Sequence, residues 1–220
     1  MSAKILIVGV ANTGKTTLLK PLKDVLVFAR DGKNFPLELP HINVPDYNSM
    51  NELHNIIAEA IEKYEVKFKK GPKTIVFDSV SNIWNDIEVY CNEKFKGYDI
   101  WTNVNKEITQ FTDKIVNALI AEGYNVIIIS HAYWDGDSKS YIETCKANFA
   151  KKGGFLGTVD YAVNIDMVGN KRVITHRNSK LARTLLEDIP EKEDVNNFDL
   201  QKYLEKIKAK ATTVTERWLI

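Results

Sequence analysis

Residues 9–16 read Gly-Val-Ala-Asn-Thr-Gly-Lys-Thr, and the run before them, Ile5-Leu6-Ile7-Val8, is wholly apolar. The segment fills the pattern G-x-x-x-x-G-K-[ST], which demands a buried strand ending in a glycine turn and a helix starting from it. Gly9 and Gly14 let the chain turn tightly, so that consecutive N–H groups point at phosphate oxygens. The predicted contacts run through Gly9, Val10, Ala11, Asn12, Thr13, Gly14, Lys15, Thr16 and Thr17. Lys15 suits the β- and γ-phosphates of a bound nucleotide, and the Thr16 hydroxyl suits Mg²⁺. A helix starting there adds its positive end to the same anion. The loop implies a nucleoside triphosphate with Mg²⁺.

The rest of the chain is built to surround such a loop. Apolar runs recur at Val25–Ala29, Thr74–Asp78 and Asn125–Ser130, separated by amphipathic stretches opening at Ser49-Met50-Asn51-Glu52, near 81–95 and over 103–121. Continuous apolar strands alternating with such helices predict an α/β fold with a mostly parallel sheet covered by helices on both faces. Pro21 predicts that the helix after the loop is short. Pro36, Pro40 and Pro45 mark a loop with room for a short edge strand. Gly169-Asn170, between Tyr161–Val168 and Lys171–Thr175, predicts a C-terminal antiparallel hairpin. A terminal helix over 199–210 and a loose tail over the last ten residues complete the expectation. At 220 residues and 44% hydrophobic content, one full domain fits. The division expected is a core over 1–185 and a C-terminal helix and tail over 186–220, packed on or beside it.

Composition excludes more than it proposes. Net charge is +1, so a nucleic-acid partner needs a local patch. Cys91 and Cys145 are too few for a disulfide framework, and no His spacing suits a metal. The N-terminus enters a strand by Ile5 and no apolar run approaches membrane-spanning length, so the expected compartment is the cytoplasm, without a membrane partner.

Three further positions complete the triphosphate site. Asp78 ends an apolar strand, where its carboxylate projects from the carboxyl edge of the sheet toward the metal's waters; a turn Asp is the competing reading. Ser130-His131 ends the next strand, expected beside that of Asp78. There His131 can meet the γ-phosphate or an attacking water, or simply cap a loop. Asp31 follows the second strand, expected to neighbour the phosphate loop, and is the candidate base; a surface-loop Asp is equally in play.

The order GVANTGKTT, VLVFARDG, TIVFDSVSNIW, NVIIISH and GGFLGTVDYAVNI resembles the RecA-like core ATPases of bacteriophages, the group of phage nucleotide-binding and single-strand annealing recombinase proteins. The resemblance runs from about residue 3 to about 185. It implies a RecA-like P-loop NTPase fold, ATP hydrolysis with Mg²⁺, and single-stranded DNA bound by an oligomer or filament with nucleotide at subunit interfaces. A single-strand-binding protein is a further implied partner. The Glu that RecA-like enzymes carry after the second strand is replaced here by Ala29-Arg30-Asp31-Gly32, which implies slow hydrolysis or a base from elsewhere. The DNA loop of such enzymes corresponds to about 132–158. That segment holds Tyr133, Trp134, Lys139, Lys146, Lys151, Lys152 and Phe155. Aromatic platforms with interleaved cations suit sequence-tolerant binding of single strands. From 139 to 183 nine Lys or Arg face three Asp or Glu, a local balance of +6 on a near-neutral chain. Solvated basic surface with aromatics folded inward is the alternative. Lys180 and Arg183 lie where RecA-like oligomers place cations that reach a neighbour's γ-phosphate; a helix-face cation pair is the alternative. A small nucleotide kinase and a nucleotide-gated scaffold remain as other functions. A GTPase is disfavoured, because Asn170-Lys171-Arg172-Val173 lacks the acidic residue of N-K-x-D.

Overall fold

The structure is a computed structural model in which residues 2–217 are described, with side chains as far as 211. Its strands are β1 (Lys4–Gly9), β2 (Val25–Ala29), β3 (His41–Asn43), β4 (Thr74–Asp78), β5 (Asn125–Asp135), β6 (Ser140–Glu143), β7 (Tyr161–Val168), β8 (Lys171–Thr175) and β9 (Lys192–Asp194). Its helices are α1 (Met50–Phe68), α2 (Val80–Lys94), α3 (Tyr98–Thr109), α4 (Asn117–Ala121), α5 (Ala147–Lys151) and α6 (Leu200–Arg217). The sheet runs β3-β2-β4-β5-β1-β7-β8-β9, with β6 paired to the far end of β5. From β3 to β7 all pairs are parallel, and β8 and β9 return antiparallel. The mixed α/β fold with a mostly parallel sheet and a C-terminal antiparallel stretch is therefore the one the apolar periodicity predicts.

Strand parity divides the core in two. Leu6, Val8, Leu26, Phe28, Ile75, Phe77, Val126 and Ile128 face α1, α2 and the α3–α4 stretch. Ile5, Ile7, Val25, Val27, Val76, Ile127 and Ile129 face the other way. The central strands are buried on both faces, which is why their sequences are apolar without alternation. On the second face the chain after the phosphate loop makes only a 3₁₀ turn, Thr16–Leu19, because Pro21 cannot continue it. That turn leaves most of the face bare. Leu200, Tyr203, Leu204 and Ile207 of α6 cover it, packed with Leu18, Leu19 and Leu22. The C-terminal helix thus does the covering that the shortened loop helix cannot.

Boundaries differ from expectation in three places. The long helix begins at Tyr98 and passes through a π-helical stretch, Gln110–Val116, into α4. β5 runs past Ser130 to Asp135, because β6 gives its last residues a partner. The tail predicted to be loose is helical as far as Arg217; its remainder lies outside the described residues. Among the described residues no helix is long and apolar enough to cross a membrane.

Candidate functional site

The phosphate loop leaves the carboxyl end of β1 in the middle of the sheet, and the backbone there tolerates only glycine at two points. A Cβ on Gly9 would lie 2.3 Å from the Ile165 carbonyl oxygen, and Gly14 sits at φ +96°. Thr13 Oγ1 donates to the Val10 carbonyl at 2.9 Å, closing the loop on itself. Lys15 is buried, and its Nζ donates to the carbonyls of Gly9 at 2.9 Å and Val10 at 2.8 Å. Burial lowers its pKa to about 8, against the pull of Asp78. An ammonium held this way, short of full solvation, gains from an anion in the loop.

Parity carries Asp78 to the same side. On β4, Ile75 and Phe77 face the first core, so Val76 and Asp78 face the second, where the loop turn lies. Thr16 Oγ1 donates to Asp78 Oδ2 at 2.6 Å, bringing the two predicted Mg²⁺ residues together. Burial pushes the Asp78 carboxyl up, eased by the Thr16 hydrogen bond and reinforced by the charge of Asp31. A hydroxyl and a destabilised carboxylate in contact, beside an ammonium, form a hard oxygen donor set suited to Mg²⁺ and phosphate together. Mg²⁺ bound there would neutralise charge on the phosphate oxygens and on Asp78.

The strand between them supplies His131. β5 lies between β1 and β4, with His131 in register with Gly9. Its parity follows Ile127 and Ile129, so the ring faces the loop side, and burial together with the Lys15 charge lowers its pKa. The imidazole is therefore neutral near pH 7. Ser130 points the other way. It is fully buried, with its hydroxyl 3.4 Å from Ser81 Oγ of α2, and Ser81 also accepts the His131 N–H at 2.8 Å. Of the pair, only His131 faces the phosphate edge.

Asp31 requires a correction. β2 pairs with β3 and β4, so two strands separate it from β1 and it does not neighbour the loop strand. A parallel sheet with β4 and β5 inserted beside the loop strand moves the second strand outward. Asp31 is exposed, and its Oδ1 accepts the Lys33 N–H at 3.0 Å. Its charge is still felt by Asp78 and His131 along the same edge.

The segment after His131 separates into two parts. Its first half continues β5 upward and returns as β6, a two-stranded arm rising from the edge beside the loop. Tyr133, Trp134 and Tyr141 are exposed on this arm, with the Trp134 and Tyr141 rings edge-on at 5.3 Å. Lys139 is exposed in its turn, and Lys180 Nζ donates to Ser140 Oγ at 3.1 Å. The second half folds inward. Phe155 is 1% exposed and stacks on Trp84 at 5.8 Å, so its ring is core and not free to stack on a base. Lys146 donates to Glu88 of α2 at 2.6 Å, and its charge is already paired. Lys151 and Lys152 remain exposed. Arg183 pairs by its backbone with Ala162, toward the amino half of β7, away from its own phosphate loop.

Two side chains carried no signal in the sequence. Glu143 lies opposite Ala132 on β6, almost fully buried. Its Oε2 accepts the Leu156 N–H at 3.0 Å, and burial pushes its pKa up to about 7. Arg172 of β8 packs on the phosphate loop, with Nη1 3.2 Å from where a Gly14 Cβ would stand. The Arg172 contact joins distant stretches of sequence, which no local spacing announces, and the Glu143 contact spans 13 residues of chain. A cavity of about 600 Å³ between β3 and α1 contains none of the site residues.

Residues 1–184 match the family model described as an AAA domain. A comparison with curated proteins gave no match.

Proposed function

The chain belongs to the AAA domain family and is a P-loop NTPase domain, and on that premise we propose that it is an ATP- and Mg²⁺-dependent protein that binds single-stranded DNA in phage recombination or replication. The observation that carries the reading is the continuity of β5. The same strand presents His131 to the phosphate edge and, two and three residues later, Tyr133 and Trp134 to solvent. Thr144 donates its N–H to the His131 carbonyl at 2.7 Å, so the returning strand of the arm is fastened to the residue that faces the loop. In this reading a change at the phosphate end passes along that strand to the aromatic side chains of the arm.

In this reading Lys15 holds the β- and γ-phosphates, Thr16 and Asp78 hold Mg²⁺, and neutral His131 orients the attacking water or registers the γ-phosphate. Trp134 and Tyr141 stack on bases on one face of the arm and Tyr133 on the other, while Lys139, Lys151 and Lys152 follow the backbone. Arg183, turned away from its own loop, suits a contact with the phosphate of a neighbouring copy in an oligomer or filament. The placement of Asp31 in an exposed turn favours a second reading, a nucleotide-gated scaffold that hydrolyses slowly.

The test is the rate of ATP hydrolysis with and without single-stranded DNA, with Lys15→Ala as control. Stimulation by DNA, abolished in Lys15→Ala, supports the proposal. Phosphate transfer to a nucleoside monophosphate would sink it in favour of a kinase. Tight ATP binding without turnover selects the scaffold.

A further inference from the structure

The direction in which a nucleotide lies along the sheet edge follows from the strand order. Lys15, Thr16 and Asp78 gather the γ-phosphate end, and Asp78 stands on β4, on one side of β1. The loop N–H groups hold the α- and β-phosphates. A triphosphate is a linear chain, so its α-phosphate and nucleoside must leave on the opposite side of β1, toward β7 and β8. A cavity of about 610 Å³ opens there, with Gly14, Thr17, Lys20 and Pro21 on the loop side. Its other wall is Arg172, the segment 195–199 and Lys202.

The wall is firmly built. Val195 donates its N–H to the Arg172 carbonyl at 3.1 Å, tying the segment to β8. The Phe198 ring lies 5.5 Å from both His176 and Tyr203, fixing an apolar side. The charge of the lining is lopsided. Lys20, Arg172 and Lys202 make no side-chain hydrogen bond or ion pair among the described residues. Asp199, the one carboxylate among the lining residues, is engaged by the Lys202 N–H at 3.1 Å. Arg172 combines this freedom with contact: its guanidinium rests on Gly14, within the phosphate loop itself, and has all its donors to offer.

We propose that this cavity takes the ribose and base of the nucleoside di- or triphosphate held by the loop, and that Arg172 binds at the junction of α-phosphate and ribose. Lys20 and Lys202 then supply a positive rim, and Phe198 the apolar side against which a base lies. The inference rests on the phosphate loop holding nucleotide, as proposed above.

The experiment measures binding of Mg·ATP, Mg·ADP and Mg·tripolyphosphate by calorimetry, with the thermal midpoint of each variant as a folding control. Asn197 is exposed on the cavity wall, so Asn197→Trp fills the space without touching the loop. It should weaken ATP and ADP by about tenfold or more, the size of a steric clash, and leave tripolyphosphate unchanged. Arg172→Ala should weaken all three by about tenfold or more, the loss of a charged hydrogen bond, with Arg172→Lys intermediate. Unchanged ATP affinity in both variants, while Lys15→Ala abolishes binding, would overturn this inference and leave the loop reading standing. Equal loss of ATP and tripolyphosphate in Asn197→Trp would overturn the cavity assignment. If Lys15→Ala binds ATP normally, the loop reading itself fails.

Discussion

The phosphate edge and the arm beside it grow from adjacent strands, yet they hold their side chains in opposite ways. At the edge the loop side chains and the strand backbone already have partners in the protein: Lys15 two carbonyls, Thr16 the Asp78 carboxylate, and the His131 backbone N–H the Ser81 hydroxyl. On the arm, Trp134 has Tyr141 as its ring neighbour and both remain exposed. The edge is preorganised, so small displacements there alter chemistry. The arm is a platform whose side chains are free to turn toward a ligand. The loop that follows the arm resembles it in composition but belongs with the edge in construction, because Phe155 and Glu143 are buried under it.

Phe155 and Trp134 break this comparison most directly. Phe155 packs against Trp84, Phe111 and Phe149, so Phe155→Ala should cost about 3–5 kcal/mol of stability, read as a fall in the denaturation midpoint. Trp134→Ala should leave the midpoint nearly unchanged and, if the arm binds single-stranded DNA as proposed, cost about 1–3 kcal/mol in affinity for it. Should Phe155→Ala fold normally and lose DNA instead, the division between core loop and platform is wrong.

Glu143 sharpens the boundary through pH. Burial raises its pKa from the ordinary 4.5 to about 7. The fold therefore favours the protonated carboxyl, and its contribution is fully present below about pH 4.5 and lost as pH rises through about 7. The loss amounts to about 3 kcal/mol above that range, at 1.36 kcal/mol per unit. Glu143→Gln keeps an oxygen for the Leu156 N–H without the charge. It should be more stable than the parent at pH 8 by about that amount, and no more stable at pH 4. Equal pH dependence of urea midpoints in the two proteins would show that Glu143 is solvated, and that the loop over it is open.

How much of this was legible depends on the range of the physical cause. The loop, the strand ending in Asp78 and the Gly169-Asn170 hairpin are set by neighbours in sequence, and all stand where the residues place them. Asp31 was misplaced relative to the loop strand because strand order is a long-range property, and nothing near residue 31 says that β4 and β5 intervene. Phe155 and Lys146 looked like binding residues because an aromatic or a lysine in a loop has the same local signature whether it faces water or Trp84 and Glu88. Arg172 was unreadable for the converse reason: a strand residue gave no hint that β8 returns it to Gly14.

Lys15 tests the edge by titration. With its pKa lowered to about 8, the free protein holds the charged ammonium below that pH and the neutral amine above it. Phosphate binds the charged form, so binding takes up a proton above pH 8. ATP affinity should fall by about tenfold from pH 7 to pH 9, the fraction still charged at one unit above the pKa. Calorimetry at pH 8.5 in two buffers of different ionisation enthalpy reads the proton uptake directly. Affinity that is flat over this range would mean that Lys15 stays charged, and that its burial does not tune the loop.

The smallest effect separates lysines that look alike in sequence. Lys151 and Lys152 are exposed, whereas Lys146 is held by Glu88 at 2.6 Å. If the first two meet phosphates, Lys151→Ala/Lys152→Ala should reduce the slope of log affinity against log salt by about 0.7 for each single-strand phosphate left without its lysine. Lys146→Ala should leave that slope alone, since its charge is already neutralised, and cost up to about 1 kcal/mol of stability as a partly exposed pair. A salt slope that falls with Lys146→Ala and not with the double variant would reverse the assignment, making the Glu88 pair a closed form that opens onto DNA.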